Sequence, residues 1–171
     1  RDLRLNDNTA LLEACAQSEK VVTCFIFDNK QIGPSNSYRS ERSVQFMIES
    51  LKDLDAQIKA KGGKLLYFYG DTQKVVAQLL KNKNIEALFI NKDYTPFAIK
   101  RDNALERAAK KAGVEFHSYH DALLIDPDTV RTSTGKPYTV FTPFYRNVAR
   151  QTVQKPHNFA YKNLSSVSLP S

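Results

Sequence analysis

Strand-length apolar runs alternate with helix-period segments along most of this chain, and that alternation admits few folds. Val21, Val22, Cys24, Phe25, Ile26 and Phe27 form a near-continuous apolar run within residues 20–27, and residues 65–69, 87–90 and 114–119 make further runs of strand length. Between the first two, Val44, Met47, Ile48, Leu51, Leu54 and Ile58 recur at three- and four-residue spacing. That spacing lays them on one face of a helix over residues 40–61, which Gly62-Gly63 stops. A shorter helix follows Asp7 or Asn8 to about Gln17, and Val75 to Leu80 form the apolar face of another that ends near Asn84. Thr95-Pro96 opens a helix running to Ala112 and ending at Gly113, because a capping hydroxyl followed by proline satisfies or removes orphan amide donors. Apolar strands without polar alternation are buried on both faces, so the pattern specifies a parallel sheet covered by helices on each side. Right-handed crossovers then restrict the topology to a doubly wound α/β fold.

The chain opens inside a loop. Arg1-Asp2-Leu3-Arg4-Leu5-Asn6-Asp7-Asn8 is dense in charge and leads directly into a helix, with no strand before it. In an open parallel sheet such a loop sits at the carboxyl end of a strand, where ligands bind. Counting that strand gives a Rossmann-like, five-stranded parallel sheet whose first strand is missing from the chain. Residues 1–150 then form one domain. From Leu124 the character changes: Pro127, Thr132-Ser133-Thr134-Gly135-Lys136-Pro137 and Tyr138 read as an irregular excursion or hairpin, and Thr142-Pro143 starts a short helix through Arg150. Residues 151–171 read as the start of an interdomain linker, since Pro156, Asn158, Asn163 and several serines interrupt any core-forming period.

Composition narrows the function classes. With 171 residues and 42% apolar content the chain can bury one ordinary core. No run reaches the roughly 18 apolar residues of a membrane helix, and the reading is a cytoplasmic monomer without a membrane partner. A net charge of +7 suits a polyanionic partner. The lysines, however, are spread mostly near helix ends, where they complement the helix dipole. Cys15 and Cys24 have no metal spacing and read as buried free thiols. His117 and His120 fall on opposite faces of a strand end, which makes them an edge and a loop histidine rather than a ligand pair. Glycine-rich phosphate loops, nucleophile elbows and paired-cysteine motifs are absent from the sequence.

The informative side chains lie in loops at the strands' carboxyl ends: residues 1–8, 28–39, Gly70-Asp71 and 91–97. Together they ring a crevice of aromatics, carboxylates and arginines. Asp2 with Arg4, and Asp93 with Arg101, can equally close their loops as ion pairs. For Asp2, Arg4 and Asp7 a structural role is the reading taken, since so polar a loop needs internal partners.

Three segments resemble the amino-terminal domain of photolyases and cryptochromes, in order and at fitting spacing: R-D-L-R-L-N-D-N at residues 1–8, N-K-D-Y-T-P-F-A-I-K-R-D at 91–102 and Y-T-V-F-T-P-F at 138–144. Ser40-Glu41-Arg42-Ser43-Val44-Gln45-Phe46 is a fourth, weaker match. The resemblance implies a light-harvesting domain of a deoxyribodipyrimidine photolyase. Such a domain passes excitation energy to FAD in a separate helical domain, absent from this chain, for splitting pyrimidine dimers in UV-damaged DNA. It also implies an antenna site. Folate-binding members carry an Asn-Glu pair early in the helix after the fourth strand, where this chain has Phe97-Ala98, so methenyltetrahydrofolate is disfavoured. Deazaflavin-binding members carry two arginines and an aspartate that match Arg1, Arg42 and Asp93 here. Asp93 can accept from ring N–H groups, while the arginines can donate to carbonyls or stack on a planar ring. The same Asp and first-loop Arg also occur in members without an antenna. A blue-light receptor cryptochrome, or from a different class a stand-alone nucleotide-binding module of the universal-stress type, would share the β-α alternation.

Overall fold

Asn8 ends the first loop by accepting the amide of Leu11, and helix α1 (Thr9–Gln17) begins there. A computed structural model describes residues 2–127, 129–153, 155–156 and 161–169. After α1 come β1 (Thr23–Phe27), a one-turn helix α2 (Asn29–Ile32), α3 (Glu41–Lys59), β2 (Leu65–Tyr69), α4 (Thr72–Leu79), β3 (Ala87–Asn91), α5 (Pro96–Ala112), β4 (Glu115–Tyr119) and α6 (Phe141–Val148). Local chemistry accounts for the boundaries. Pro96 follows the Thr95 cap, whose hydroxyl accepts from Ala98 N–H, and Gly113 ends α5 at φ +71°, a left-handed conformation that glycine adopts without a Cβ penalty.

All pairing among the named strands is parallel. Thr23 lies opposite Leu65 and Phe27 opposite Tyr69 in one pair; Ala87 lies opposite Glu115 and Asn91 opposite Tyr119 in the other. Side-chain alternation splits the strands between two cores. Phe25, Phe27, Leu65 and Phe89 point toward α1 and α3, joining Ala14, Cys15, Leu51, Leu54 and Ile58. Ile26, Leu88 and Phe116 point the other way, onto Val76 and Leu80 at α4 and Leu105 and Ala109 of α5. Helices on both faces of parallel strands confirm the doubly wound architecture. Leu51 and Ile58 are 2% and 1% exposed, so each contributes about 2 kcal/mol of apolar burial.

The sheet is not continuous. Among the described residues β1–β2 and β3–β4 are separate two-stranded sheets, four strands where a five-stranded sheet was expected. Between the facing edges runs a cavity of about 750 Å³, from Val21 and Ala87 at one end to Asn91 and Asp93 at the other. The first loop stands over it through Leu3 and Leu5, where the absent strand had been expected. The opening corrects one expectation. Cys15 is buried, but Cys24 is exposed and lines this cavity, because among the described residues no strand pairs with β1 on that side.

In the second half of the chain, residues 129–138 take the irregular course that was one of the two readings: they form turns, closed by Thr132 N–H on the Lys136 carbonyl. Two features there differ from expectation. Helix α6 starts at Phe141, one residue before Thr142, so Pro143 sits inside its first turn, where a missing N–H costs nothing. Residues 161–169, read as linker, are seated on the core. Tyr161 and Leu164 are each 7% exposed, Val21 donates its N–H to the Asn163 carbonyl and accepts from Ser165 N–H, and Asn163 donates to the carbonyls of Cys15 and Ser18 at 2.8 and 2.6 Å. An extended segment carrying two anchors shows no period to detect.

Candidate functional site

The loops at the carboxyl ends of the strands are held by charged and amide side chains that satisfy one another. Arg4 donates to both carboxylate oxygens of Asp121 at 3.1 and 3.0 Å, and to the carbonyls of Asn6 and Asp7 at 3.1 and 2.7 Å. Asp121, with a side chain 2% exposed, also accepts the backbone N–H and hydroxyl of Thr9. At the end of β3, Asn91 accepts from Ala10 N–H at 2.9 Å and donates to Asn8 and Asp2. These bonds hold Asp7 at φ +54°, a left-handed conformation that aspartate tolerates better than most residues. The structural role read for Arg4 is borne out, but its partner is Asp121 rather than Asp2. Side chains 117 positions apart in sequence meet only after the strand ends are assembled.

A second brace holds the loop after β1. Buried Asp28 accepts from Lys30 N–H and from the amide and hydroxyl of Thr72, while Asp71 caps α4 and pairs with Lys30 at 2.5 Å. Burial works to raise the Asp28 pKa, but the Thr72 hydroxyl and the two amides outweigh it and hold the carboxyl below its ordinary value. Asp71 is likewise lowered, chiefly by the Lys30 ammonium.

The sequence-predicted site residues are only partly brought together. Asp93 is half-buried at the cavity mouth, where its carboxylate accepts from Thr95 N–H at 3.2 Å. Phe46 and Phe97 line the same mouth, 73% and 40% exposed. Arg42 is exposed in the first turn of α3, one helical turn before Phe46 and on its face. Arg1 lies outside the described residues. Asp93 and Arg101 were open to reading as an ion pair; Arg101 instead binds its neighbour Asp102 at 2.7 Å. Ala98, which stands where a folate-type pair would need a polar group, is buried at 2% exposure. Phe97 belongs to a loop that the sequence reading placed around the crevice, but Phe46 was missed as a lining residue. Its signal was a large aromatic early in the helix that follows the β1 loop.

Chemically, the mouth offers aromatic surfaces and a carboxylate acceptor, a set suited to a planar heteroaromatic ring; the arginines in the lining, Arg4 and Arg101, are paired with Asp121 and Asp102, and Arg42 is not among the lining residues. Phosphate capture at helix starts is disfavoured, since α1, α4 and α5 are capped by Asn8, Asp71 and Thr95. His117 pairs with Glu115 at 3.0 Å as an edge residue, and no group of three metal-ligating side chains converges among the described residues.

Fold and crevice together define a doubly wound α/β domain with an open crevice at the carboxyl ends of its strands. The DNA photolyase family profile matches residues 1–160. The chain belongs to that family. It is 35% identical over 156 residues to a deoxyribodipyrimidine photo-lyase of Synechococcus sp. (strain PCC 6301), covering 91% of this chain and 32% of that protein. Cryptochrome-1 of Aedes aegypti is 31% identical over 85% of this chain and 28% of its own length. A solved archaeal photolyase from Sulfolobus tokodaii superposes with a TM-score of 0.86 at 36% identity, over 98% of this chain and 37% of that one. It was solved with two FAD molecules, with the implication of a novel light-harvesting cofactor. This chain spans about a third of the length of these photolyase and cryptochrome relatives.

Proposed function

We propose that this chain is the amino-terminal, light-harvesting region of a deoxyribodipyrimidine photolyase that repairs UV-damaged DNA. Its crevice holds a flavin-class antenna, with a deazaflavin favoured over methenyltetrahydrofolate. When bound, the antenna supplies absorption in the near-ultraviolet to violet and transfers that excitation to FAD in a helical domain of the same protein. The chain's own residues bind and orient. Asp93 accepts from the ring edge, Phe46 and Phe97 offer stacking surfaces, and Arg42, with Arg1 from the first loop, donates to ring carbonyls. The observation carrying this reading is Asp93 at the cavity mouth beside those aromatics. The second FAD of the Sulfolobus protein supports a tricyclic ring over a pterin.

The protein is proposed to act in the cytoplasm as a monomer. Among the described residues no helix is long and apolar enough to cross a membrane. Its net charge of +7 adds modestly to DNA affinity. A cryptochrome receptor is the second reading, supported by the Cryptochrome-1 relatives. The test is an absorbance and action spectrum of the full-length protein. Dimer repair driven by an antenna band that Asp93→Ala abolishes supports the proposal. Flavin bands without dimer repair favour the receptor, and an antenna band untouched by Asp93→Ala removes Asp93 from the site.

A further inference from the structure

The two residues flanking Asp93 are held by one side chain from another loop. His120 follows β4 directly, and its ring lies between Lys92 and Tyr94: the Tyr94 hydroxyl is 2.6 Å from Nδ1, and the Lys92 ammonium is 3.2 Å from Nε2. Asp126 stands 3.0 Å from the same Nε2. The Tyr94 and His120 rings also stack, with centroids 5.8 Å apart and planes at 22°.

Hydrogen-bond chemistry decides how this cluster is wired. The Lys92 ammonium only donates, so Nε2 accepts from it, and Nδ1 then carries the ring proton toward the Tyr94 hydroxyl. Asp126, at ion-pair distance from the same Nε2, places its charge beside Lys92 and the ring. The cluster is only partly exposed, 24% for the His120 side chain and 29% for that of Asp126, so the geometry is shielded from competing water.

We infer that His120 is a positioning residue for the chromophore site, fixing the β3–α5 loop so that Asp93 presents its carboxylate to the ring. The inference rests on the assignment of Asp93 to that site. Asp93 accepts from Thr95 N–H within its own loop. His120 ties the positions on either side of it, 92 and 94, to the end of β4. Lys92 N–H, which donates to the Tyr119 carbonyl at 2.8 Å, continues the strand pairing up to the residue before Asp93. From there the loop depends on side chains.

The test is fluorescence titration of the full-length protein with two probes, FMN and a 5-deazaflavin, for wild type, H120A, H120Q, Y94F, D93A and H120A/D93A. Expected are a Kd for the bound probe raised about 10-fold in H120A, and partial recovery in H120Q, whose amide oxygen can still accept from Lys92. The double variant should be no weaker than D93A alone, since a residue acting through Asp93 has nothing left to position. The absorption maximum of bound probe should shift in H120A toward its D93A value, a signature that general loss of stability would not produce. Weakened binding in D93A with unchanged binding in H120A overturns the role of His120. Unchanged binding in D93A, or no binding of either probe to wild type, overturns the underlying site assignment. Should H120A fail to fold, H120Q and Y94F carry the test, and wild-type affinity and spectrum in both would refute the inference.

Discussion

Replacing Asp121 by alanine should be among the most damaging single changes outside the apolar cores. Its carboxylate, with a side chain 2% exposed, closes the start of α1 through Thr9 and anchors Arg4 through two bonds. Losing the acceptor at a helix start costs about 1 kcal/mol. Breaking a fully buried ion pair costs about 3–5 kcal/mol, but the Arg4 side chain is 37% exposed and keeps its bonds to the Asn6 and Asp7 carbonyls, so about 2 kcal/mol applies here. The sum is about 3 kcal/mol. Urea unfolding followed by far-ultraviolet circular dichroism would read this as a midpoint lowered by about 1.5 M at an m-value of about 2 kcal/mol/M. Asp121→Asn keeps an acceptor for Thr9 and loses the charge, so it should fall about halfway. An alanine variant within about 0.5 kcal/mol of wild type would refute the brace, because it would mean the first loop holds its place without Asp121.

Other outcomes follow from the same contacts. Leu164→Ala should cost about 2–4 kcal/mol by urea unfolding, since Leu164 is buried and packs over Gly63 and Ile58. A value near zero would mean residues 161–169 are not seated on the core in solution. Stability should fall as the pH drops below about 4: the depressed pKa of Asp28 makes the folded state bind fewer protons than the unfolded chain, so its contribution is full above the unfolded value and lost as pH falls through the folded one. Asp28→Asn should flatten that acid limb in pH-dependent thermal melts, and an unchanged limb would count against the Thr72 bond. Cys15, whose thiol burial pushes up to about 11, should resist alkylation at pH 8 until the protein unfolds; rapid modification in the native state would contradict its burial.

Most elements were legible because their signals are local. The three- and four-residue spacing of Leu51, Leu54 and Ile58 marks α3, and Thr95-Pro96 with Gly113 brackets α5 within a residue of its observed ends. Strand alternation likewise sends Ile26 and Phe27 to opposite cores. The one-turn helix α2 was not foreseen. Asp28, Lys30 and Thr72 stabilise it from the side, and a four-residue helix has no period of its own.

By itself, the order of residues determined the α/β class, the number and direction of the strands present, and the loops that form the crevice, since each depends on near neighbours and on handedness. Tertiary structure alone decided that Arg4 meets Asp121, that His120 spans Lys92 and Tyr94, and that Tyr161 and Leu164 close over the core. Those pairings join side chains tens to more than a hundred positions apart. Nothing in spacing selects one carboxylate over another for an arginine; the assembled strand ends bring a particular pair within hydrogen-bond reach and leave other pairs apart.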